Sequence, residues 1–392
     1  MIDTTGIFSD RISGIKASEI REIFKLLGQK DIISLAGGNP AVESFPNEAL
    51  AEIAHDVLKN NPGVSLQYNA TEGYIPLRNI LSERMKKIDS MAEYDELIVT
   101  TGAQQAIDLI ARVLINEGDG VVAELPSFVG SLNSIRGFGG QLFGVPVLSD
   151  GMDLDALENI LKTEKIKLIY TIPTFQNPTG VTMPLEKRIK LLELAKKYNA
   201  FILEDNPYGE LRFRGEYVPT IKSLDTEGRV IYSGSFSKIL SAGMRVGWLC
   251  GHKDIVAKAT VAKQSADVHT CTLTQMMAAE YLTKYSIEDH IEKVCELYGR
   301  KCKKMLDAMD KYFPAHCTYT RPEGGIFLFC YMPEGTDTKA LLQKALEKKV
   351  AFVPGHTFMI DMSKPTNTFR LNYSLVPEDK IEFAIKSLSE IL

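Results

Sequence analysis

No hydrophobic run in this 392-residue chain approaches the roughly 20 apolar residues of a membrane-spanning helix. The opening MIDTTGIFSD has neither the basic nor the apolar region of a secretory signal peptide. Neither charge is in large excess, since 45 Lys plus Arg stand against 50 Asp plus Glu, a formal net charge of −5. Nucleic-acid binding favours a basic face, which this composition does not offer. We therefore predict a cytoplasmic protein with small-molecule partners, no nucleic acid and no membrane.

The cysteines and histidines lack the spacings of disulfide frameworks and metal sites. Among six cysteines and six histidines there is no C-x-x-C, H-E-x-x-H or H-x-H motif. We expect reduced structural thiols, as in a cytoplasm, and no metal. At roughly 100 to 200 residues per domain, a chain of this length makes two or three domains, each able to bury its own apolar core.

From about residue 96 onward, short runs rich in Val and Ile alternate with longer segments of 3.6-residue periodicity. This alternation is typical of a parallel α/β fold with helices on both faces of the sheet. The predicted strands are 97–100, 120–124, 141–146, 167–172, 201–204, 230–234 and 246–251. The predicted helices between them are 104–116, 128–138, 154–163 and 185–198.

The pattern of predicted elements at the two ends of the chain differs from that in its middle. A helical pattern at 17–28 precedes a Gly-rich loop, and a long helical pattern begins near residue 290. Beyond it we predict strands at 316–320, 326–331, 350 and 368–371, a helix at 339–348 and a terminal helix. We divide the chain into an N-terminal arm and part of a small domain (1–47), a large domain (48–290) and a C-terminal small α+β domain (291–392). No repeat or flexible linker separates them, so we expect a rigid boundary.

Polar residues follow several predicted strands, at the edge where a parallel sheet binds its ligands. The first strand leads into TGAQQ at 101–105, a Gly-containing turn that opens a helix. Such a turn offers unpaired N–H groups and the positive end of a helix dipole, so it can hold a phosphate. Many β-to-α turns contain Gly, however, and this turn alone is weak evidence.

Three further loops leave the same edge of the predicted sheet: PTFQNPTG at 173–180, EDNPY at 204–208 and GSFSK at 234–238 with Arg245 beyond it. Each has a plain structural explanation, such as a turn at Asn177-Pro178, a helix N-cap at Asp205 or a solvated amine at Lys238. Their shared edge weakens these explanations. We expect an amide, a carboxylate, a phenol, two hydroxyls, a lysine and an arginine to converge on one cleft.

The last three of these motifs and a fourth one near the C-terminus together resemble the class I/II aminotransferases of fold type I, which use pyridoxal 5′-phosphate (PLP). They are NPTG at 177–180, DNPY at 205–208, SFSK at 235–238 with Arg245 seven residues on, and FRLN at 369–372. They occur in the family's order, and the resemblance covers essentially the whole chain. SLAGGNP at 34–40 and SFSK are most similar to the branch of 2-aminoadipate, kynurenine and aromatic aminotransferases. The resemblance implies a fold-type I transferase: a seven-stranded, mostly parallel sheet covered by helices, with a smaller α+β domain.

The resemblance implies that five side chains contact the cofactor or its ring. Lys238 would hold the aldehyde covalently and, once displaced, carry a proton between the substrate Cα and C4′ as general base and acid. Asp205 would keep the ring nitrogen protonated, which the electron sink requires. Asn177 and Tyr208 would hydrogen-bond the ring 3′-oxygen. Phe128 falls where the family stacks an aromatic side chain on the ring face.

The resemblance also implies how the cofactor phosphate is held. Its ligands would be N–H groups at Gly102 and Ala103, the Gln104 region, the hydroxyls of Ser235 and Ser237, and the Arg245 guanidinium. Close relatives often have Ser where this chain has Ala103, so one hydroxyl contact is missing. Tyr68 matches a tyrosine that reaches the phosphate of the neighbouring subunit. That match implies an obligatory homodimer.

The resemblance also implies part of the substrate-binding site. Arg370 matches the arginine that binds the α-carboxylate, for which a planar two-donor fork is suited. Gly38 and Asn39 match the loop that closes over this carboxylate, and Asn177 borders it. The candidates for the pocket of the substrate side chain are Ser18, Arg21, Phe327 and the loop 355–358. Arg21 resembles a residue that meets an acidic side chain in some relatives, but it is equally explained as a surface arginine.

We therefore predict an aminotransferase that moves the amino group of an aromatic, kynurenine-like or 2-aminoadipate-like amino acid to a 2-oxo acid such as 2-oxoglutarate, in a ping-pong cycle. A branched-chain donor stays open. One alternative is a PLP-dependent lyase on the same fold. Another is a non-catalytic PLP-binding regulatory domain. A fused DNA-binding domain is disfavoured because only about 16 residues precede the first helical pattern.

Overall fold

A computed structural model of the chain describes residues 2, 6–13, 15 and 32–392. The predicted helix at 17–28, and with it Ser18 and Arg21, lies outside these described residues. Within them the chain forms two kinds of layer: a large sheet covered by helices and a smaller sheet built from the C-terminal part of the chain. No helix in the described part of the chain is long and apolar enough to cross a membrane.

The strands are, in chain order, β1 (Ile33–Ser34), β2 (Asp95–Thr100), β3 (Gly120–Leu125), β4 (Gln141–Leu148), β5 (Gly151–Met152), β6 (Ile166–Thr171), β7 (Phe201–Asp205), β8 (Val230–Ser235), β9 (Gly247–His252), β10 (Thr318–Tyr319), β11 (Phe327–Tyr331), β12 (Val350–Ala351), β13 (Val353–Pro354) and β14 (Thr368–Asn372). All seven predicted strands of the large sheet are found, which confirms the α/β class. The predicted strand at 316–320 is reduced to the two residues of β10.

The α-helices are, in chain order, α1 (Asp10–Ser13), α2 (Asn47–Asn60), α3 (Pro62–Ser65), α4 (Ile75–Lys87), α5 (Ala103–Leu114), α6 (Val129–Gly137), α7 (Leu154–Thr163), α8 (Leu185–Lys197), α9 (Ile221–Leu224), α10 (Lys253–Ala266), α11 (Thr272–Lys284), α12 (Ile287–Tyr312), α13 (Thr338–Glu347) and α14 (Ile381–Ser389). Side-chain caps explain several starts. The Asp153 carboxylate, for example, accepts the N–H groups of Asp155 and Ala156 at the start of α7.

The large sheet has the strand order β2-β9-β8-β7-β6-β3-β4-β5. Strands β9 and β5 run antiparallel to their neighbours, and the other six are parallel to one another. The inner strands are buried on both faces, which is why they read as continuous apolar runs. Within the described residues the sheet has eight strands and not the predicted seven. The additional strand, β5, was not predicted because two residues are too few for a periodic signal.

Strand register brings the polar strand ends together. Gly247 of β9 pairs with Thr100 of β2 on one side and with Ser235 of β8 on the other. Next along the sheet, Asp205 of β7 pairs with Ser233. Because these strands end at one edge, the turn after β2 lies beside the end of β8, as the sequence predicted.

The smaller sheet has the order β10-β11-β14-β13, and β1 pairs with β12 in a separate two-stranded sheet. Arg370 lies in the middle of β14, opposite Phe329 of β11 and Val353 of β13. Strand β13 was not predicted, since its Pro354 lacks a backbone donor and breaks the strand pattern. One large apolar cluster runs from the large sheet into the C-terminal segments. The division into domains at residues 47 and 290 stays a prediction.

Candidate active site

The end of β8 and the segment before β9 form a small hydroxyl and guanidinium cluster. The Ser235 hydroxyl donates to the Ser237 hydroxyl at 2.9 Å and accepts the Ser237 N–H at 3.1 Å. Arg245 Nη1 donates to the Ser237 hydroxyl at 3.3 Å, and its Nη2 donates to the Thr101 carbonyl at 3.2 Å. Two predicted phosphate-binding segments are therefore linked through one guanidinium.

The turn at Gly102 requires glycine. Its φ is +78°, and a Cβ at this position would lie 2.3 Å from Arg245 Nη2. Glycine alone allows both the left-handed backbone and this close approach. The Gly102 N–H donates to the Thr100 carbonyl at 2.8 Å, so the N–H groups that point out of the turn are those of Ala103 and Gln104, the first residues of α5.

The Gln104 side chain turns away from this turn and supports Phe128. Its Nε2 donates to the Gly130 carbonyl and to the Ser134 hydroxyl, both at 3.1 Å. A Cβ on Gly130 would lie within 2.6 Å of both the Gln104 amide and the Phe128 ring. Phe128 immediately precedes α6, and this packing fixes its ring.

Lys238 is partly buried in the loop after β8. Its Nζ donates to the Gly38 carbonyl at 2.6 Å, which joins the N-terminal loop to the large sheet. Burial, followed by the nearby cations Arg370 and Arg245, lowers the pKa of Lys238 to about 8. An amine with this pKa is available in its neutral, nucleophilic form near neutral pH.

Asp205 ends β7 and is 2% exposed. Its Oδ2 accepts the Tyr170 hydroxyl at 2.9 Å, whereas Oδ1 is buried with no hydrogen-bond partner among the described residues. Ser233 lies near enough to lower the carboxyl pKa but meets no hydrogen-bond geometry. Burial dominates and raises the pKa of Asp205 to about 6. A buried carboxylate oxygen that accepts no hydrogen bond from the protein is expected to accept one from a ligand.

Arg370, Asn177 and Tyr208 form a buried chain of polar groups between the two larger sheets. Arg370 Nη1 donates to Asn177 Oδ1 at 2.8 Å, and Asn177 Nδ2 donates to the Tyr208 hydroxyl at 3.4 Å. Arg370 Nη2 donates to the Ala36 carbonyl at 2.9 Å, while its Nε has no partner among the described residues. Burial lowers the pKa of Arg370 to about 10, so it remains a cation at neutral pH. Burial raises the pKa of Tyr208, so its phenol stays protonated.

Two aromatic rings enclose the Arg370 guanidinium. Its central carbon lies 4.0 Å from the Phe327 ring centre and 4.8 Å from that of Phe358. Gly38 borders the same place, since a Cβ there would lie 3.4 Å from the Phe327 ring. Asn39 is exposed, and its carbonyl accepts the Ser374 hydroxyl at 2.8 Å. The site thus combines a cation with apolar walls.

Tyr68 is 81% exposed. Its ring meets the His269 ring edge to face at 5.9 Å between centroids. The contact of Tyr68 with the phosphate of a neighbouring subunit stays a prediction.

The described residues fit PLP. Serine hydroxyls, an arginine and helix N–H groups suit the phosphate, and the Asp205 oxygen without a partner suits a protonated ring nitrogen. A lysine with a lowered pKa suits the aldehyde. No group of His, Cys, Asp and Glu that could hold a metal occurs in the described residues.

A buried hydrogen-bond network around Glu124 was not predicted from the sequence. Glu124 of β3 accepts the Thr171 hydroxyl at 2.7 Å and the Gln176 amide at 3.2 Å. Gln176 also donates to the Pro126 carbonyl at 2.8 Å, so it ties the loop before Phe128 to the loop that carries Asn177. Burial raises the pKa of Glu124 to about 7. The available signal was a carboxylate at the end of an apolar strand, the same signal that marked Asp205.

Comparisons with known proteins identify the family of this chain. The family model of aminotransferase class I and II matches residues 30–388. The chain is 45% identical to aromatic-amino-acid aminotransferase 1 of Thermococcus litoralis, over 100% of this chain and 95% of that protein. Kynurenine aminotransferase of Pyrococcus horikoshii, solved in complex with PMP, is 41% identical with a TM-score of 0.95, covering 99% of this chain and 97% of that one. The α-aminoadipate aminotransferase of Thermus thermophilus, solved with N-(5′-phosphopyridoxyl)-L-leucine, is 39% identical with a TM-score of 0.93, covering 100% and 98%.

The fold and these structural relatives define a fold-type I aminotransferase. The chain belongs to the class I and II aminotransferase family and is a PLP-dependent enzyme that transaminates amino acids. The predicted family, fold, cofactor and reaction class are confirmed. Nothing in these relatives favours the lyase or the non-catalytic regulator.

Proposed function

We propose that this aminotransferase accepts amino acids with large, largely apolar side chains, of the aromatic or kynurenine type, and also 2-aminoadipate, and passes the amino group to a 2-oxo acid such as 2-oxoglutarate. The observation that carries the proposal is the buried Arg370 between Phe327 and Phe358, with an Nε that has no partner among the described residues. A guanidinium in this position binds the α-carboxylate, and the two rings provide an apolar wall for the side chain.

In this proposal Lys238 moves the proton. PLP, when bound, supplies an electron sink for the negative charge that develops at the substrate Cα. Lys238 would hold the cofactor aldehyde and, once freed by the substrate amine, would carry the proton from the substrate Cα to C4′. Its low pKa supports this role, because a base that works near pH 7 needs a pKa near 7.

Several buried polar side chains would orient the cofactor ring. Asp205 Oδ1, which has no partner among the described residues, would accept the N–H of the ring nitrogen, while the Tyr170 hydroxyl donates to Oδ2. The Tyr208 hydroxyl and the Asn177 amide would donate to the ring 3′-oxygen, and Phe128 would cover one ring face. Because Asn177 also accepts a hydrogen bond from Arg370, one side chain would orient both the ring and the residue that binds the substrate carboxylate.

The phosphate would lie at the N-terminus of α5, held by the N–H groups of Ala103 and Gln104, by Ser235 and Ser237, and by Arg245. The Gly102 N–H, already bonded within the turn, contributes less than the sequence suggested. Gly38 and Asn39 would close over the substrate carboxylate. Arg21 stays a prediction for acidic side chains, as does the cytoplasmic location.

A panel of amino donors with 2-oxoglutarate tests the substrate class. We expect the largest kcat/KM for phenylalanine, tyrosine, kynurenine and 2-aminoadipate, and values lower by about tenfold or more for alanine, because burying a large side chain contributes about 1 to 3 kcal/mol. Release of a 2-oxo acid with formation of glutamate is the measurement. Ammonia and pyruvate as products would contradict transamination, and a best donor with a small side chain would contradict the proposed pocket.

Replacing Arg370 by lysine should lower kcat/KM about 100-fold for every donor, because one charged, two-donor contact of about 2 to 3 kcal/mol is lost. The factor should be equal for tyrosine and 2-aminoadipate, since both have the same α-carboxylate. Steady-state kinetics with both donors measures it. A matched control is Arg321→Lys, on the surface and paired with Asp310. A loss confined to one donor would assign Arg370 to side-chain recognition instead.

We propose a homodimer in which Tyr68 contacts the phosphate in the partner's site. The exposed ring supports this, and so do the exposed apolar side chains Val64 and Leu66 beside it. Such a surface favours burial against a second copy.

Tyr68→Ala should weaken PLP binding about tenfold through the loss of one phosphate hydrogen bond. Mixing Tyr68→Ala chains with Lys238→Ala chains should restore about a quarter of the wild-type activity at limiting PLP, because half of the dimers are hybrids with one intact site. Activity before and after mixing and refolding is the measurement. Mixing that restores nothing, or a monomer in sedimentation, would refute the shared site.

A further inference from the structure

Lys263 of α10 is a fully buried lysine that has no role in the proposed function. Burying an ammonium group is unfavourable unless it is paired and hydrogen-bonded. Its partners therefore indicate what the structure gains from placing it there.

The ammonium group of Lys263 has acceptors for all three of its protons. Its Nζ lies 2.9 Å from each Asp267 carboxylate oxygen, 2.6 Å from Gln105 Oε1 and 3.1 Å from Thr270 Oγ1. Asp267 in turn accepts Gln105 Nε2 at 2.7 Å and the Thr101 hydroxyl at 2.8 Å. Lys263 is thus connected to the turn after β2 through Gln105, and Asp267 is connected to it directly through the Thr101 hydroxyl.

Thr101 is held at three atoms. Its N–H donates to Gln105 Oε1 at 2.8 Å, its hydroxyl to Asp267, and its carbonyl accepts Arg245 Nη2 at 3.2 Å. The next residue is Gly102, with φ +78°, and α5 begins directly after it. The orientation of Thr101 therefore sets where the first N–H groups of α5 point.

We propose that Lys263 and Asp267 are positioning residues, which hold the turn at Thr101 and Gly102 in the conformation that binds the cofactor phosphate. The inference rests on the proposed function, in which the N-terminus of α5 binds that phosphate. Lys263 and Asp267 neutralise each other, so they act by geometry and not by attracting the anion. Glycine makes this turn possible but leaves it free to move, and the hydrogen bonds from Thr101 to Gln105 and Asp267 hold it in one conformation.

The test compares PLP with pyridoxal, which lacks the phosphate. Full-length protein freed of cofactor is titrated with each ligand, and binding is followed by quenching of Trp248, the single tryptophan. In Lys263→Met we expect the Kd for PLP to rise about tenfold, equivalent to about 1.4 kcal/mol, and the Kd for pyridoxal to stay unchanged. A general loss of structure would weaken both ligands equally.

A matched control is Lys222→Met. Lys222 is equally buried and lies 2.9 Å from Asp95, the first residue of β2, at the opposite end of that strand from Thr101. It should lower stability without changing the ratio of the two Kd values. If Lys263→Met fails to fold, Thr101→Val removes the same link through a smaller change, and Thr101→Ser, which keeps the hydroxyl, should restore the ratio.

Arg245→Ala separates this inference from the proposed phosphate site. Suppose that Arg245→Ala weakens the binding of PLP but not of pyridoxal. The positioning role is then overturned if Lys263→Met and Thr101→Val weaken the binding of both ligands equally, or weaken the binding of neither. If Arg245→Ala also shows no selective effect, the proposed phosphate site itself is wrong. A selective loss of PLP binding in all three variants supports both.

Discussion

Lys238→Ala is expected to lower the transamination rate about 10⁴-fold, the upper end of what one positioned proton-transfer group contributes. The same change should abolish the covalent link to PLP. Borohydride reduction followed by mass analysis of the peptide containing residue 238 measures the link, and single-turnover kinetics measure the rate. The physical reason is that, in the proposed function, the same amine holds the aldehyde and carries the proton at Cα.

The matched control is Lys197→Ala, on the surface and paired with Glu158 at 2.6 Å. It should keep both the covalent link and the rate. Covalent attachment that persists in Lys238→Ala would place the reactive amine elsewhere and refute the assignment.

The low pKa of Lys238 predicts a pH dependence for covalent capture of PLP. With a pKa of about 8, about a tenth of the amine is neutral at pH 7, against about one part in three thousand for an amine of pKa 10.5. Capture should accelerate about tenfold per pH unit below pH 8 and level off above it. A rate that still rises through pH 10 would show that burial and the neighbouring cations do not depress this pKa.

Asp205→Asn is expected to lower kcat by two to three orders of magnitude, about the usual loss when one preorganised electrostatic contact is removed. The asparagine keeps the shape of the side chain but not the negative charge that would hold the ring nitrogen protonated. Presteady-state rates at saturating PLP measure the effect. The Kd for PLP should change less than kcat, because the phosphate contacts remain.

Glu204→Gln is the matched control for Asp205→Asn. Glu204 is the preceding residue and is also fully buried, but it accepts the N–H groups of Ile221 and Lys222 at 3.0 and 2.8 Å, away from the site. This variant should lose stability and keep kcat. An Asp205→Asn enzyme with wild-type kcat would show that the ring nitrogen needs no carboxylate here.

Between residues 96 and 251 the succession of strands and longer helices was predictable because it depends on local periodicity. Buried parallel strands read as apolar runs, and the helices between them show their own repeat. The helices α2, α4, α10 and α11 were not predicted. Neither were the short strands β1, β5 and β13, since two residues, or a proline, leave no such pattern. Asp205 and Lys238 were found because polar residues at strand ends in an α/β fold mark a site, and the family motifs gave them roles.

Only the tertiary structure decided how these residues are held. Arg370 and Asn177 are 193 residues apart and meet only because β14 lies against the loop after β6. Tyr170 binds Asp205 from a neighbouring strand, and no local pattern marks either pairing. The sequence by itself thus determined the fold class and the cofactor, and it proposed the residues that carry the chemistry. Strand register and long-range packing determined which oxygen of Asp205 has no partner among the described residues and that Lys263 and Asp267 connect to the turn at Thr101, because such contacts depend on distances in space that residue spacing does not encode.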